Sequence, residues 1–169
     1  CDGIVSCNYY SGEPVSHIAD GRPTVVRSVE SKLNLGDFMR SQIYSAIATL
    51  RIGMDILAEE NVAIDSLMGH GGLFKTEFVG QKLMAAAMKA PVSVMSTAGE
   101  GGAWGAAVLA NYAAYGNGRT LAEYLGTVVF ADSERTTVQP DDSDVVGFDA
   151  YLEKYKKLLS IQNIAAENI

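Results

Sequence analysis

A glycine-rich segment at residues 69–72 has the spacing of a nucleotide-binding turn. It follows the apolar run 62–68, which is rich in β-branched and large apolar residues, as is typical of a short buried strand. From Thr76 to Lys89 the apolar residues return at helical spacing. A strand that turns through glycines into a helix lets backbone amides approach a nucleotide. A tight turn of an ordinary α/β protein has the same pattern, so these glycines alone leave both interpretations open.

A second glycine-rich segment follows Thr97-Ala-Gly-Glu100. These four residues fit a capping box, in which the hydroxyl and the carboxylate bond to each other's free backbone amides at a helix start. We therefore interpret Glu100 as a capping residue rather than a catalytic carboxylate. Gly101, Gly102 and Gly105 each cost about 1 kcal/mol of helix propensity relative to alanine. They make sense if the start of this helix lies tight against another backbone or against a ligand.

Composition excludes several classes of partner. The chain has 169 residues, 48% of them apolar, and a net charge of −7, which argues against nucleic acid or an anionic membrane as the main partner. No stretch reaches the roughly 18 consecutive apolar residues that a membrane helix needs. The length fits one domain, residues 1–169, and can bury a sizeable core.

The cysteines and histidines do not indicate a metal site. Cys1 and Cys7 have no second pair, and His17 and His70 do not stand at ligand spacing. We interpret the cysteines as reduced thiols of a cytoplasmic protein. The chain begins without methionine and without a signal-peptide pattern, so we expect it to be part of a longer protein.

The periodicity predicts alternating strands and helices. Asn34 can cap a long helix whose apolar residues advance by three or four positions and form one buried stripe, namely Leu35, Met39, Ile43, Ile47, Leu50, Met54 and Leu57. The predicted elements are strands at 4–10 and 24–29, a helix at 35–60, a strand at 62–68, a helix at 76–89, a strand at 91–95, a helix to about 115, a helical turn at 120–124, an exposed strand at 127–130 and a helix at 148–167. This order predicts an α/β fold in which helices cover a sheet.

Three segments, in order, carry a resemblance to a known family. Tyr9-Tyr-Ser-Gly-Glu-Pro14 looks like the Y-x-S-G-E-R-x-P segment of pentulose kinases. Residues 71–81 are similar to the adenosine motif G-G-G-S-x-N-x-x-W-x-Q. Residues 100–110 are close to the helix E-x-x-A-x-G-A-A-x-x-A. The chain thus resembles the carboxy-terminal domain of the FGGY carbohydrate kinases, which include xylulokinase, ribulokinase, gluconokinase and glycerol kinase.

The resemblance implies an actin-like, ribonuclease-H-like ATPase domain with a mixed sheet flanked by helices. In this family two such domains close over ATP, Mg²⁺ and a sugar. By resemblance Gly71 and Gly72 line the adenosine side, where the absence of a side chain lets base and ribose pack on the backbone. Thr76 stands where the family usually has an asparagine that contacts the nucleotide, and Leu73 replaces the third glycine. A hydroxyl offers fewer contacts than an amide.

The resemblance assigns no catalytic residue to this chain. The family's aspartate base, its sugar site and a phosphate motif belong to an amino-terminal domain, and phosphoryl transfer needs metal, nucleophile and charge-stabilising groups together. Lys75 either reaches a phosphate or is a solvated lysine. Trp104 is expected to pack in a core or between domains, with stacking on adenine as the alternative. Glu13 fits a role in bracing its loop. His70 is expected to be a turn residue.

Two hypotheses from different classes follow. The first is the ATP-binding half of a kinase that phosphorylates a pentulose such as xylulose or ribulose, inactive alone and compatible with a homodimer. The alternative is a non-catalytic actin-fold module that binds nucleotide weakly or packs against a partner chain. A different actin-like ATPase is a third reading, which the Ser-Gly-Glu-Pro segment disfavours.

Overall fold

The computed structural model describes residues 1–96 and 98–169 and contains two compact units. The first unit comprises Cys1–Ile64, Ala86–Lys89 and Asp141–Ile169, and the second comprises Asp65–Ala85 and Ala90–Pro140. The strands are β1 (Ile4–Cys7), β2 (Thr24–Arg27), β3 (Leu67–Gly69), β4 (Val92–Met95) and β5 (Arg135–Val138). The helices are α1 (Leu35–Glu59), α2 (Val79–Met88), α3 (Gly101–Tyr115), α4 (Leu121–Tyr124) and α5 (Asp142–Asn168).

In the first unit α1 and α5 pack on the antiparallel pair β1–β2. All four residues of β1 are buried between the two helices. The Ser6 hydroxyl lies 2.7 Å from the Ser41 hydroxyl of α1, and the Cys7 thiol contacts the Tyr155 hydroxyl of α5. The Tyr151 hydroxyl of α5 donates to the Ser6 carbonyl at 3.1 Å. The core of this unit is thus aromatic, and hydrogen bonds satisfy the buried hydroxyls of Ser6, Ser41 and Tyr151.

Helix α1 begins where the sequence predicts. The Asn34 side chain accepts a hydrogen bond from the Asp37 backbone N–H at 2.9 Å, which satisfies a free amide of the first turn. The predicted strand and helix pattern of residues 4–60 is therefore confirmed, with β1 ending three residues before Tyr10 and β2 two residues before Val29.

The predicted buried stripe of α1 is wrong in most of its positions. Leu35 is 75% exposed, and Met39 and Leu50 are also exposed. Ile47 is the one residue of the stripe that is fully buried, and the rest of the buried face lies to one side of it, at Ser41, Tyr44, Ser45 and Ala48. Small side chains let α1 approach β1 closely enough for hydroxyl contacts, and hydropathy alone does not identify such a face.

The second unit contains a mixed three-stranded sheet in the order β3-β4-β5. β3 and β4 are parallel, and β4 and β5 are antiparallel. Gln81 of α2 is buried and donates through Nε2 to the carbonyls of Val92 and Thr136, each at 3.2 Å. One amide side chain thus ties the helix to two strands of this sheet.

Two predictions for the last third of the chain are wrong. Residues 127–130 are not a strand, since a π-helical turn covers Leu125–Val129 and the Thr127 hydroxyl donates to the Glu123 carbonyl at 2.6 Å. The strand is instead β5, between residues 130 and 148, where the sequence predicts neither helix nor strand. The capping box at Thr120 starts α4, and the helical backbone continues from α4 into the β-branched residues 127–129. Their strand propensity is therefore overridden by context.

Several element boundaries also differ. α5 begins six residues before 148, because the Asp141 carboxylate accepts from the backbone N–H groups of Ser143 and Asp144 and caps the helix there. The strand predicted at 62–68 is only β3, and the helix predicted from Thr76 begins at Val79 after Phe78, whose φ is +61°. No helix within the described residues is long and apolar enough to span a bilayer.

Candidate functional site

The glycine turn of the second unit links the ends of β3 and β4. Gly71 has φ +96°, a conformation that glycine adopts without a Cβ penalty, and its N–H donates to the Ala98 carbonyl at 2.7 Å. A 3₁₀ turn at Gly72–Phe74 follows, and the Lys75 N–H donates to the Gly72 carbonyl at 3.2 Å. The turns after two neighbouring parallel strands are therefore joined by a main-chain hydrogen bond.

Open space lies over the glycines of both motifs. Beyond its chain neighbours and its own helix backbone, a Cβ atom built on Gly71, Gly72, Gly101, Gly102 or Gly105 would meet no described atom within 4 Å. The expectation that the start of α3 lies tight against protein backbone is thus not met by the described residues, and the expectation of a ligand remains.

Other glycines of the same unit are required by packing. A Cβ on Gly69 would lie 2.6 Å from the Phe74 ring, and one on Gly80 would lie 2.4 Å from the Leu73 carbonyl oxygen. The contrast separates glycines that protein contacts require from glycines that leave an accessible surface.

Thr76 and Lys75 lie beside this surface. Thr76 is exposed and belongs to the turn before α2 rather than to the helix itself. The Lys75 stem runs past the second motif, with its Cε 3.5 Å from the Cβ position of Gly99, while the residue as a whole is exposed. The structure therefore places Gly71, Gly72 and Thr76 on one turn and adds the Lys75 stem beside the second motif.

Trp104 packs between two other rings. It is half-buried, stacks on His70 with ring centroids 6.4 Å apart, and lies 5.6 Å from the Phe130 ring. The expected packing role of Trp104 agrees with these contacts. His70 has a ring contact in addition to its place in the turn. Sequence analysis missed Phe130, because the strand predicted at 127–130 gave it no neighbour.

The side chains of the predicted capping box, Thr97 and Glu100, lie outside what the structure describes. Among the described residues no three His, Cys, Asp or Glu side chains come together as a metal site. Glu13 braces its own loop, since its carboxylate accepts from the Val15 N–H at 3.0 Å and its backbone pairs with Ile18.

The groups whose pKa is raised lie in the first unit. Burial raises the pKa of the Tyr155 and Tyr151 hydroxyls and of the Cys7 thiol. All three groups stay protonated at neutral pH, and each takes part in the hydrogen bonds around β1. These groups have a structural role, since a buried neutral hydroxyl is a poor nucleophile or base.

Comparison with solved structures gives the fold class. The chain is similar to xylulose kinase from Rhodospirillum rubrum (TM-score 0.63, 18% identity, 95% of this chain and 30% of that one). It is also similar to ligand-bound xylulose kinase from Lactobacillus acidophilus, with a TM-score of 0.65 and 18% identity over 94% of this chain and 31% of that one. Gluconate kinase from the same organism is similar too, with a TM-score of 0.64 and 18% identity over 94% of this chain and 31% of that one. The fold is thus that of an actin-like ATPase domain, which confirms the predicted fold class.

Family membership follows from a sequence match. The sequence model described as "FGGY family of carbohydrate kinases, C-terminal domain" matches residues 1–114, and the chain belongs to this family. No curated protein sequence matches the chain significantly. The chain spans about 30% of the length of the solved kinases that it resembles.

Proposed function

We propose that residues 1–169 form the nucleotide-binding, carboxy-terminal domain of a cytoplasmic kinase that transfers the γ-phosphate of ATP to a sugar hydroxyl. The proposed sugar is a pentulose such as xylulose or ribulose, because the Tyr9-Tyr-Ser-Gly-Glu-Pro14 segment looks like that of pentulose kinases. Gluconate kinase is among the similar structures, so a sugar acid is the competing substrate class.

The proposal depends mainly on the open surface over Gly71, Gly72, Gly101 and Gly102. A positive φ favours glycine at Gly71 and Gly101. No packing contact requires glycine at Gly72 or Gly102, where a Cβ would meet no described atom within 4 Å beyond its chain neighbours and its own helix. Adenosine fits such a surface, because a backbone without side chains lets the flat base and the ribose approach it closely. In this proposal Gly71, Gly72 and Thr76 contact the adenosine.

The proposed chemistry requires groups from a second domain. In the full-length enzyme ATP would supply the phosphoryl group, and bound Mg²⁺ would neutralise the charge on the phosphate oxygens. An amino-terminal domain of the full-length enzyme would provide the aspartate base and the sugar site. This chain's own contribution is to bind and orient the nucleotide, so the isolated chain has no kinase turnover.

Calorimetric titration with ADP tests the nucleotide site. We expect a binding signal in the parent chain and its loss in Gly72→Arg, because a long cationic side chain would fill the open surface. Gly147→Arg is the matched control, since Gly147 of α5 belongs to the first unit and its Cβ position is equally open. Binding that survives Gly72→Arg, or is lost equally in both variants, contradicts the assignment.

Two further results separate the hypotheses. Absence of ADP binding in the folded parent chain would favour a non-catalytic actin-fold module, an outcome that the departures at Leu73 and Thr76 make worth testing. Sugar-dependent ADP formation by the isolated chain would contradict the proposal that the aspartate base and the sugar site lie in another domain. Adding a separately expressed amino-terminal domain, with xylulose, ribulose and gluconate compared, would identify the substrate class.

A further inference from the structure

β2 has an outer edge without a neighbouring strand. Ser6 of β1 exchanges hydrogen bonds with the Tyr151 hydroxyl, at 3.3 Å from its N–H and 3.1 Å to its carbonyl, and so turns these groups away from β2. Main-chain groups alternate in direction along an antiparallel pair. Val25, opposite Ser6, and Arg27 therefore turn their N–H and C=O groups away from β1. Within the described residues these groups have no hydrogen-bond partner.

An apolar groove lies beside this edge on the α5 side of the sheet. Its volume is about 340 Å³, and Val26, on this face of β2, is 43% exposed. Its apolar lining includes Val5, Val26, Leu158 and Ile161. We call it the α5 groove.

A second apolar groove lies on the α1 side. Its volume is about 500 Å³, and its apolar lining comprises Ile4, Val25, Leu33, Leu35 and Phe38. Val25 and Val26 are consecutive, so their side chains point to opposite faces, and both remain over 40% exposed. β1 is buried on both faces, whereas β2 is covered on neither. This second space is the α1 groove.

Cations without acidic partners line the α5 groove. Lys154 and Lys157 of α5 both contribute to its wall. Neither lysine ammonium has an ion pair or hydrogen bond within the described chain. Arg27 lies two residues after Val25 and so shares its face, on the α1 side of β2. The neighbouring Lys156 does have a partner, Asp55 at 3.5 Å. This cluster of unpaired cations stands out in a chain whose net charge is −7.

We propose that the outer edge of β2 binds an extended acidic segment of a partner protein, which adds a strand to the sheet. The segment's main chain pairs with Val25 and Arg27, and its alternate side chains enter the two grooves. Its apolar residues fill the α1 groove, and its carboxylates face Lys154 and Lys157 in the α5 groove. A bound strand explains both grooves and the unpaired edge together, whereas a fatty-acid carboxylate would explain only the α5 groove.

A second copy of the chain fits this edge less well. Antiparallel pairing of two β2 edges about a two-fold axis keeps equivalent faces on the same side of the joined sheet. The Lys154 and Lys157 side chains of both copies would then lie on one face, and like charges in proximity are unfavourable. An acidic strand has the complementary charge.

Fluorescence titration with a labelled octapeptide, Ser-Glu-Val-Val-Val-Glu-Val-Ser with blocked ends, tests the proposal. Both glutamates of this peptide lie on one face, with one valine between them, and the other three valines lie on the opposite face. We expect saturable binding that falls about tenfold or more when the glutamates are replaced by lysine. The variant Lys154→Glu/Lys157→Glu should reverse that preference and favour the lysine peptide.

The contribution of the edge itself is tested by Val25→Pro, with Val25→Thr as the matched control. Proline removes the N–H that points away from β1 and leaves the pairing of β2 with β1 in place. We expect about a tenfold loss for proline and a much smaller loss for threonine. N-methylation of alternate peptide amides makes the same test without altering the protein. Hydrogen exchange should show that peptide binding protects the Val25 and Arg27 amides.

Three results would overturn the proposal. One is peptide binding that neither N-methylation nor Val25→Pro weakens. A second is a concentration-dependent dimer that Val25→Pro dissociates, which would make a second copy the occupant. A third is binding of decanoate in the α5 groove without peptide binding, which would make the groove a site for fatty-acid carboxylates.

Discussion

The two units differ in what surrounds their backbone. In the first unit bulky aromatic side chains enclose β1, and the hydroxyls of Tyr151 and Tyr155 bond to β1 or to residues beside it. In the second unit the turns after β3 and β4 consist largely of glycine and leave open space above them. Close packing stabilises the first arrangement, whereas the second leaves backbone exposed, at the surface where we propose that nucleotide binds.

We therefore expect the first unit to determine the stability of the chain and the open glycines of the second unit to determine nucleotide binding. Substitutions in the aromatic core of the first unit should change the free energy of unfolding, because each removes buried contacts. Substitutions at the open glycines should change nucleotide binding with little effect on unfolding. Each prediction below tests that separation.

The largest expected effect is that of Phe148→Ala. Phe148 is fully buried, and its ring lies 5.0 Å from that of Tyr44 and 6.4 Å from that of Tyr151. Its truncation should lower the free energy of unfolding by about 3–5 kcal/mol, because it leaves a cavity in a close-packed core. Urea denaturation measures the loss. Tyr115→Ala, at an exposed site, is the control and should change stability by less than about 0.5 kcal/mol.

Alkaline pH should destabilise the first unit next most strongly. Burial raises the pKa of Cys7, Tyr151 and Tyr155 above their ordinary values of 9.0 and 10.0, so the unfolded chain releases protons first. Their contribution to stability is complete below about pH 9 and is lost as pH rises further, by about 1.4 kcal/mol per pH unit for each group that titrates only in the unfolded chain.

Urea midpoints at about pH 8 and about pH 10.5 measure this loss. Cys7→Ala and Tyr155→Phe each remove one titrating group and should reduce the difference between the two midpoints. Tyr115→Phe, which changes an exposed phenol, should leave that difference unchanged. An equal pH dependence in all of these variants would mean that other groups cause the alkaline loss.

Much of this comparison follows from sequence alone. The order and type of the elements up to residue 115 are set by local patterns, namely the Asn34 cap, the apolar runs and the glycine punctuation. The placement of Gly71, Gly72 and Thr76 on one turn follows from their spacing. The segment resemblances also led to the family that the sequence match shows.

The remaining features depend on contacts between distant residues. The buried face of α1 is set by Ser6 across 35 positions, and Phe130 reaches Trp104 only because a π-helical turn replaces the predicted strand. The open surface over the glycines and the unpaired edge of β2 exist because no other described segment packs against them. Periodicity in one segment cannot predict the absence of a neighbour from another.

Two glycine-to-alanine variants sharpen the distinction between the open and the packed glycines. Gly80→Ala should destabilise the chain by about 1–3 kcal/mol, because its Cβ would lie 2.4 Å from a backbone carbonyl oxygen that cannot move independently. Gly72→Ala should leave stability unchanged or raise it by up to about 1 kcal/mol, since its Cβ meets open space. Urea denaturation and ADP titration of both variants provide the measurements. Equal destabilisation would remove the argument that the surface over Gly72 is kept open for a ligand.

The smallest expected effect concerns the helix caps, where the two units should behave alike. Asn34 caps α1 in the first unit, and Thr120 with Glu123 forms a capping box on α4 in the second. Asn34→Ala and Thr120→Ala should each cost about 1 kcal/mol, because each leaves a helix amide without its side-chain partner. Neither change should alter ADP binding. A Thr120→Ala chain that unfolds normally but loses ADP would show that α4 supports the glycine surface, and the separation between stability and binding would then fail within the second unit.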